Sequence, residues 1–154
     1  MKKISLISLI IVLIDQLIKI LISNTITYAE SIKVIPNFFY LTNVHNEGAA
    51  WSMFSGKQFV LIIVAVLALV GIYLFLIKGK KLNKLETICY SLLIGGIIGN
   101  LIDRVIFNYV IDYLEFIFGN YHYPVFNFAD MCIVISIFTL VIMSFKEDLC
   151  KKSK

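Results

Sequence analysis

Apolar residues run along this chain in four long blocks, separated by shorter connectors that carry most of the charge. The blocks are Ile4–Ser23 (ISLISLIIVLIDQLIKILIS), Phe59–Ile77, Leu85–Phe107 and Phe128–Phe145. A hydrocarbon layer about 30 Å thick is crossed by ~20 residues of helix, so each block is near the length that spans it. With no water available inside the layer, every backbone N–H and C=O must be bonded within the segment. The alternating apolar and polar pattern of a barrel strand is absent, so the pattern predicts an all-α membrane protein, a bundle of four transmembrane helices in a single integral membrane domain covering 1–154.

Charge on the connectors orients the bundle. Lys2 and Lys3 precede the first block, the link KGKKLNK carries Lys78, Lys80, Lys81 and Lys84, and Lys146, Lys151, Lys152 and Lys154 follow the fourth. The outer segment 24–57 has only Lys33 and the boundary residue Lys57, and 108–127 has neither Lys nor Arg. The positive-inside rule then places both termini in the cytoplasm and both outer segments on the far side of a cell membrane. The first block is read as a retained helix rather than a cleaved leader, because Asp15 and Lys19 interrupt it and no small-residue cleavage site follows. In the first outer segment, SIKVIPNFFYLTNVHNEGAAWSMF mixes β-branched and aromatic residues around Pro36 and Gly48, which suits short strands at the membrane surface. Aromatic residues such as Phe38, Phe39, Tyr40 and Trp51 favour that interface.

Composition agrees: 60% of the 154 residues are hydrophobic and 16% are charged, far too apolar for an ordinary water-soluble domain. The net charge of +4 does not make a nucleic-acid reader, since the lysines sit between apolar blocks instead of on one exposed face. Cys89, Cys132 and Cys150 are widely spaced and follow no metal-ligand pattern, so packing is their expected role and neither metal nor cofactor is expected. His45 and His122, each alone in an outer segment, are read as surface or loop residues rather than ligands.

Ionisable groups inside membrane helices normally face the bundle interior with a partner. Asp15 and Lys19 stand at i, i+4 on one face of the first helix, in the favourable order for pairing. On the third helix Asn100, Asp103 and Arg104 share a face close to Gly95, Gly96 and Gly99, where the Gly95/Gly99 spacing admits a neighbouring helix. Asp15 with Lys19 suits helix packing and binding equally. Asp103 and Arg104 are expected to neutralise each other as a structural pair.

Two acids remain. Asp112, in NYVIDYLEF, follows the third helix with no basic residue in its own segment. Asp130 opens the fourth, where an N-cap role is the plain structural expectation. The intervening segment holds both at the outer level of the bundle, within reach of each other. Two close carboxylates cannot both ionise easily, so such a pair retains a proton. One member then takes a proton from an attacking water while the other gives one to a peptide carbonyl. No zinc-protease or serine-hydrolase motif competes for that chemistry. A transporter would spread its polar groups through the full depth, whereas here they gather in the outer half. A scaffold held by the glycine face would make Asp112 and Asp130 dispensable.

The chain resembles the lipoprotein signal peptidase (signal peptidase II) family over nearly its whole length. The resemblance rests on DQLIK (Asp15, Gln16, Lys19), NEGAAWSMF (Asn46, Gly48, Ala49, Ala50), GGIIGNLIDR (Gly95 to Arg104), VIDYLEF and FNFAD (Phe126 to Asp130), in that order. It implies a bacterial aspartic endopeptidase whose catalytic pair is Asp112 and Asp130, 130 − 112 = 18 positions apart. Asp103 with Asp130 is the second choice. It further implies that Asn46, Gly48, Asn100, Arg104 and Asn127 line or brace the substrate pocket, supported by Asp15 and Lys19. The implied substrate is a prolipoprotein cut before a diacylglyceryl-modified cysteine, met in membrane lipid by a monomeric enzyme. The aromatic first outer segment around Trp51 is a candidate lid. Trp51 where many members have Phe, and Val-Ile-Asp for the commoner Val-Val-Asp, are departures that leave the chemistry untouched.

Overall fold

A computed structural model describes residues 2–48 and 56–152, with side chains described as far as Lys146. The elements in chain order are α1 (Lys2–Thr25), β1 (Ser31–Ile35), β2 (Phe39–Asn46), α2 (Gln58–Gly71), α3 (Lys84–Phe107), β3 (Val110–Phe118), β4 (Tyr121–His122) and α4 (Phe128–Lys152). Between α2 and α3, Ile72–Ile77 continues α2 as a π-helical turn, closed by a bond from Lys78 N to Tyr73 O of 2.8 Å. Among the described residues, four helical spans are long and apolar enough to cross a membrane: Lys2–Thr25, Gln58–Ile77, Lys84–Phe107 and Phe128–Lys146. α4 runs on past the expected end at Phe145, because the Lys, Glu and Leu that follow are good helix formers in water.

α3 is the hub, and glycine explains why. A methyl group added at Gly95 would lie 2.7 Å from Cγ2 of Ile11, one at Gly96 2.5 Å from the backbone oxygen of Ala129, and one at Gly99 2.5 Å from the Asp15 carboxylate. Bare backbone at these positions lets α1 close on one flank of α3 and α4 on the other. Ser8 donates to the Ser91 carbonyl at 3.0 Å, fastening α1 to α3 through a polar contact that hydrocarbon does not weaken. α2 differs: no residue of Gln58–Gly71 is buried, and the helix lies against α3 with most of its surface free for lipid. Leu17, Leu67 and Phe138 are similarly exposed, as expected where lipid rather than water is the solvent.

α3 begins with a capping box, Asn83 Oδ1 accepting from Glu86 N at 2.9 Å and Glu86 Oε2 accepting from Asn83 N at 2.6 Å. It ends at Asn108, whose left-handed φ of 62° turns the chain into β3. The four strands form an antiparallel sheet ordered β1-β2-β3-β4 at the bundle end where α1 and α3 finish and α4 starts. β1 and β2 fall in the first outer segment, as the sequence suggests. β3 and β4 lie in the second, to which the sequence reading assigns no strand. Ile111 and Tyr113 of β3 pack with Ile22 of α1 and with Ile26 just after it, tying sheet to bundle.

Candidate active site

Two positions in the sheet register decide where Asp112 points. Val44 of β2 pairs with Asp112 and Asn46 with Val110, so Asn46 and Asp112 are diagonal neighbours on one face. Asn46 Nδ2 donates to Asp112 Oδ2 at 2.7 Å. Gly48 N in turn donates to Asn46 Oδ1 at 2.9 Å, which fixes that amide's orientation.

α4 opens through a reciprocal cap. Asn127 Oδ1 accepts from Asp130 N at 2.9 Å, and Asp130 Oδ2 accepts from Asn127 N at 3.2 Å. Asn127, not Asp130, is therefore the N-cap; Asp130 is the third helical residue, and the N-cap expectation for it is corrected. Asn127 does more than cap. Its Nδ2 donates to Asp112 Oδ1 at 2.6 Å and to Asn100 Oδ1 at 3.1 Å, while Asn100 Nδ2 donates to Asp130 Oδ1 at 2.7 Å. Asn127 thus reaches both carboxyl groups, Asp112 through its side-chain amide and Asp130 through its backbone N–H, and Asn100 closes the ring. Asp112 and Asp130 both line a cleft of about 700 Å³ between the sheet and α4, together with Asn46, Asn100 and Arg104. Phe116, Tyr123, Phe126, Met131 and Val134 give it an apolar wall that follows α4 towards the lipid.

Burial pushes the Asp112 carboxyl up to about 7, the charge of Asp130 pushes the same way, and the donors on Asn46 and Asn127 pull against both. The Asp112 carboxyl therefore keeps its proton to a higher pH than an ordinary aspartate does.

Behind the cleft lies the second polar cluster. Lys19, 1% exposed, bonds Asp15 at 2.9 Å, Asp103 at 2.8 Å and Asn100 Oδ1 at 2.9 Å. Lysine only donates, so the Asn100 oxygen must face it and the Asn100 nitrogen must face Asp130. Asp103 also accepts from Gln16 at 2.8 Å and from the Ile111 backbone at 3.2 Å, and it does not line the cleft. The expected pairing of Asp103 with Arg104 is corrected: consecutive helical residues point about 100° apart, so Asp103 faces α1 while Arg104 turns to the cleft. There Arg104 donates to the carbonyl oxygens of Gly48 at 3.2 Å and Asn100 at 3.4 Å. Its Nε is buried without a partner among the described residues.

Two functional contacts escaped the sequence reading. Asp15 Oδ1 accepts from Ala129 N at 3.1 Å, so an acid of α1 helps start α4. Gln16 bridges Asp103 and the Gly99 carbonyl; it shares a helix face with Lys19 at i, i+3, which was the available signal. His45 stacks on Tyr109 with centroids 3.8 Å apart, and His122 meets Glu115 at 3.1 Å, both away from the acids. Ala49, Ala50 and the lid candidate Trp51 lie outside the described residues.

The pattern of Signal peptidase (SPase) II matches residues 7–146. The chain belongs to the signal peptidase II family. A lipoprotein signal peptidase of Clostridium acetobutylicum is 42% identical over 93% of this chain and 94% of its own length. One from Bacillus pumilus is 37% identical over 96% of this chain and 94% of its own. Among solved structures, a bacterial membrane enzyme superposes with a TM-score of 0.89 at 34% identity, covering 100% of this chain and 94% of that one. A second gives 0.83 at 34% identity, covering 95% and 94%. Membership of the signal peptidase II family thus extends over the cleft, the amide ring and the buried lysine cluster alike.

Proposed function

We propose that this protein is the membrane peptidase that removes signal peptides from prolipoproteins, working as an aspartic endopeptidase with Asp112 and Asp130 as its catalytic pair. Its family relatives named as lipoprotein signal peptidases support the substrate class. The aspartic assignment rests on one observation above the rest: Asn127 bonds both carboxyl groups, and both line the same cleft.

The pair works with one shared proton, with Asp112 as its carrier and Asp130 as the base. Asp130 takes a proton from a water held between the two acids, and the resulting hydroxide attacks the scissile carbonyl carbon. Asp112 gives its proton to the carbonyl oxygen, forming a neutral tetrahedral diol. Collapse breaks the C–N bond as the proton on Asp130 passes to the leaving amine and a diol proton returns to Asp112. Asn46, Asn100 and Asn127 hold the carboxyls in place by donated hydrogen bonds. The Nε of Arg104, which has no partner among the described residues, is a donor for a carbonyl oxygen of the bound precursor. Asp103 serves structure, as one of the two carboxylates around Lys19.

A signal helix lying along the apolar wall beside α4 brings its end to the level of the acids. A diacylglyceryl group on the adjoining cysteine fits this arrangement, because its chains stay in lipid while the peptide enters the cleft. The whole chain acts as one membrane unit, a monomer in the bacterial cell membrane, with termini in the cytoplasm and the acids at the outer face.

The test is cleavage of a diacylglyceryl-modified precursor by the purified protein. Asp112→Asn and Asp130→Asn are each expected to lower turnover by roughly 10³-fold or more while thermal unfolding remains cooperative. Asp103→Asn is expected to lower the Tm. Full turnover in either of the first two variants would overturn the catalytic pair.

A further inference from the structure

At the opposite end of the bundle from the acids there is a second cleft, of about 510 Å³, lined by three separate parts of the chain. Lys2 and Lys3 come from the start of α1, Lys78 and Lys80 from the turn after the π-helical segment, and Thr87 from α3. Gly79, with φ of +74°, makes the turn that puts Lys78 and Lys80 on either side of it. None of the four lysines has a carboxylate within ion-pair distance among the described residues. The nearby acid on α3, Glu86, is engaged with the backbone of Asn83. Four lysines with no ion-pair partner among the described residues therefore line one cavity.

The floor of the cavity has the opposite character. Ile4 and Ile77 are buried there and join a core cluster with Ile72, Tyr90 and Leu93. Tyr73 lies on the wall, at the residue whose carbonyl closes the π-helical turn. Beyond the π segment, Gln58–Gly71 contributes no buried residue, so the flank of α2 above the lysines is open to acyl chains. A cationic mouth over an apolar floor, beside a helix flank with no buried residue, matches an amphiphile with an anionic head. A free phosphate would satisfy the lysines and leave the apolar side unused.

We propose that this cleft holds the phosphodiester head group of an anionic phospholipid, which ties α1 to the π-helical end of α2. Basic pockets between membrane helices are established receptors for such heads, and each lysine near the membrane surface adds to the attraction. This site is independent of the peptidase assignment, since none of its residues touches the cleft that holds Asp112 and Asp130.

The experiment uses the full-length protein in phosphatidylcholine nanodiscs with and without phosphatidylglycerol, reading thermal unfolding and the phosphatidylglycerol retained on release into detergent. Two triple variants carry the same loss of three charges at this end of the molecule: Lys2→Gln/Lys78→Gln/Lys80→Gln in the cleft, and Lys81→Gln/Lys84→Gln/Lys146→Gln outside it. The native chain is expected to retain phosphatidylglycerol and unfold at a higher temperature with it. The cleft variant is expected to bind it at least ~10-fold more weakly, and the outside variant to behave as the native chain. Precursor cleavage in detergent checks that the cleft variant is folded, because its lysines take no part in the reaction. Equal loss in both triple variants would mean diffuse attraction and overturn the site, as would a native chain indifferent to phosphatidylglycerol. Inorganic phosphate added in detergent is expected to give no protection. Protection equal to that from the lipid would overturn the lipid as occupant.

Discussion

Asp112 is the residue on which pH acts most directly. Its carboxyl ordinarily titrates at 3.8 and is raised to about 7 by the fold. Below the lower value both folded and unfolded chains hold the proton, and the acid's stabilising contribution is fully present. As pH climbs from about 4 through about 7, the unfolded chain has released a proton that the folded one still retains, so stability falls. The full difference across that window is on the order of 4 kcal/mol. Equilibrium unfolding of Asp112→Asn should lack this slope and leave the variant more stable than the native chain at pH 8. An unchanged slope in the variant would show that another group is responsible. Lys19→Met removes the cation from between Asp15 and Asp103 and frees the Asn100 amide to turn away from Asp130. A loss of ~3–5 kcal/mol is expected, read as a fall in the denaturant midpoint. A Lys19→Met protein with native stability would mean that the two carboxylates find other partners.

Helix packing makes a sharper forecast possible at the level of elements. Gly95→Ala brings a methyl to 2.8 Å from Cβ of Ile11, an atom that side-chain rotation does not move, so α1 itself must give way, whereas Gly96→Ala meets the backbone oxygen of Ala129 at 2.5 Å, so α4 must. Both variants should therefore lower the Tm, and they should differ in which helix loosens: Gly95→Ala is expected to speed amide exchange in α1 near Ile11, and Gly96→Ala in α4 near Ala129. The four helices were legible because apolar length alone demands them, and the glycine face because its spacing is local. β3 was not. In VIDYLEFIF, residues 110–113 are buried on both faces of the strand, so no alternation marks it, and Asp112 and Glu115 break the apolar run. The candidate site divides along the same line. The acids could be picked out as charges in apolar surroundings, but their link through Asn127 depends on a strand and a helix cap meeting in space. The separation of Asp103 from Arg104 depended on helix rotation that a shared-face argument at i, i+3, i+4 blurred.

For the whole molecule, sidedness is the testable property. With α1 and α3 both ending at the sheet and α4 starting there, Lys33 in β1 and Lys81 in the link before α3 belong at opposite ends. In a Cys150→Ser background, Lys33→Cys should react with a membrane-impermeant maleimide on intact cells. Lys81→Cys should react only after the cells are opened. The reverse result would invert the orientation while leaving the bundle unchanged. α2 holds the weakest place in this assembly, for it brings length and greasiness but no buried contact along Gln58–Gly71. Scrambling its exposed apolar residues among themselves should alter turnover less than twofold.

Asn127 also bears on how the protein is made. It is the last residue before the fourth helix, and the groups it joins come from the strand made earlier and the helix made next. A ribosome still feeding the chain into the bilayer has produced Asp112 but not yet Asp130. With the proposed pair of acids, the half-built molecule is inert, and no immature form is loose among newly inserted neighbours with a working blade.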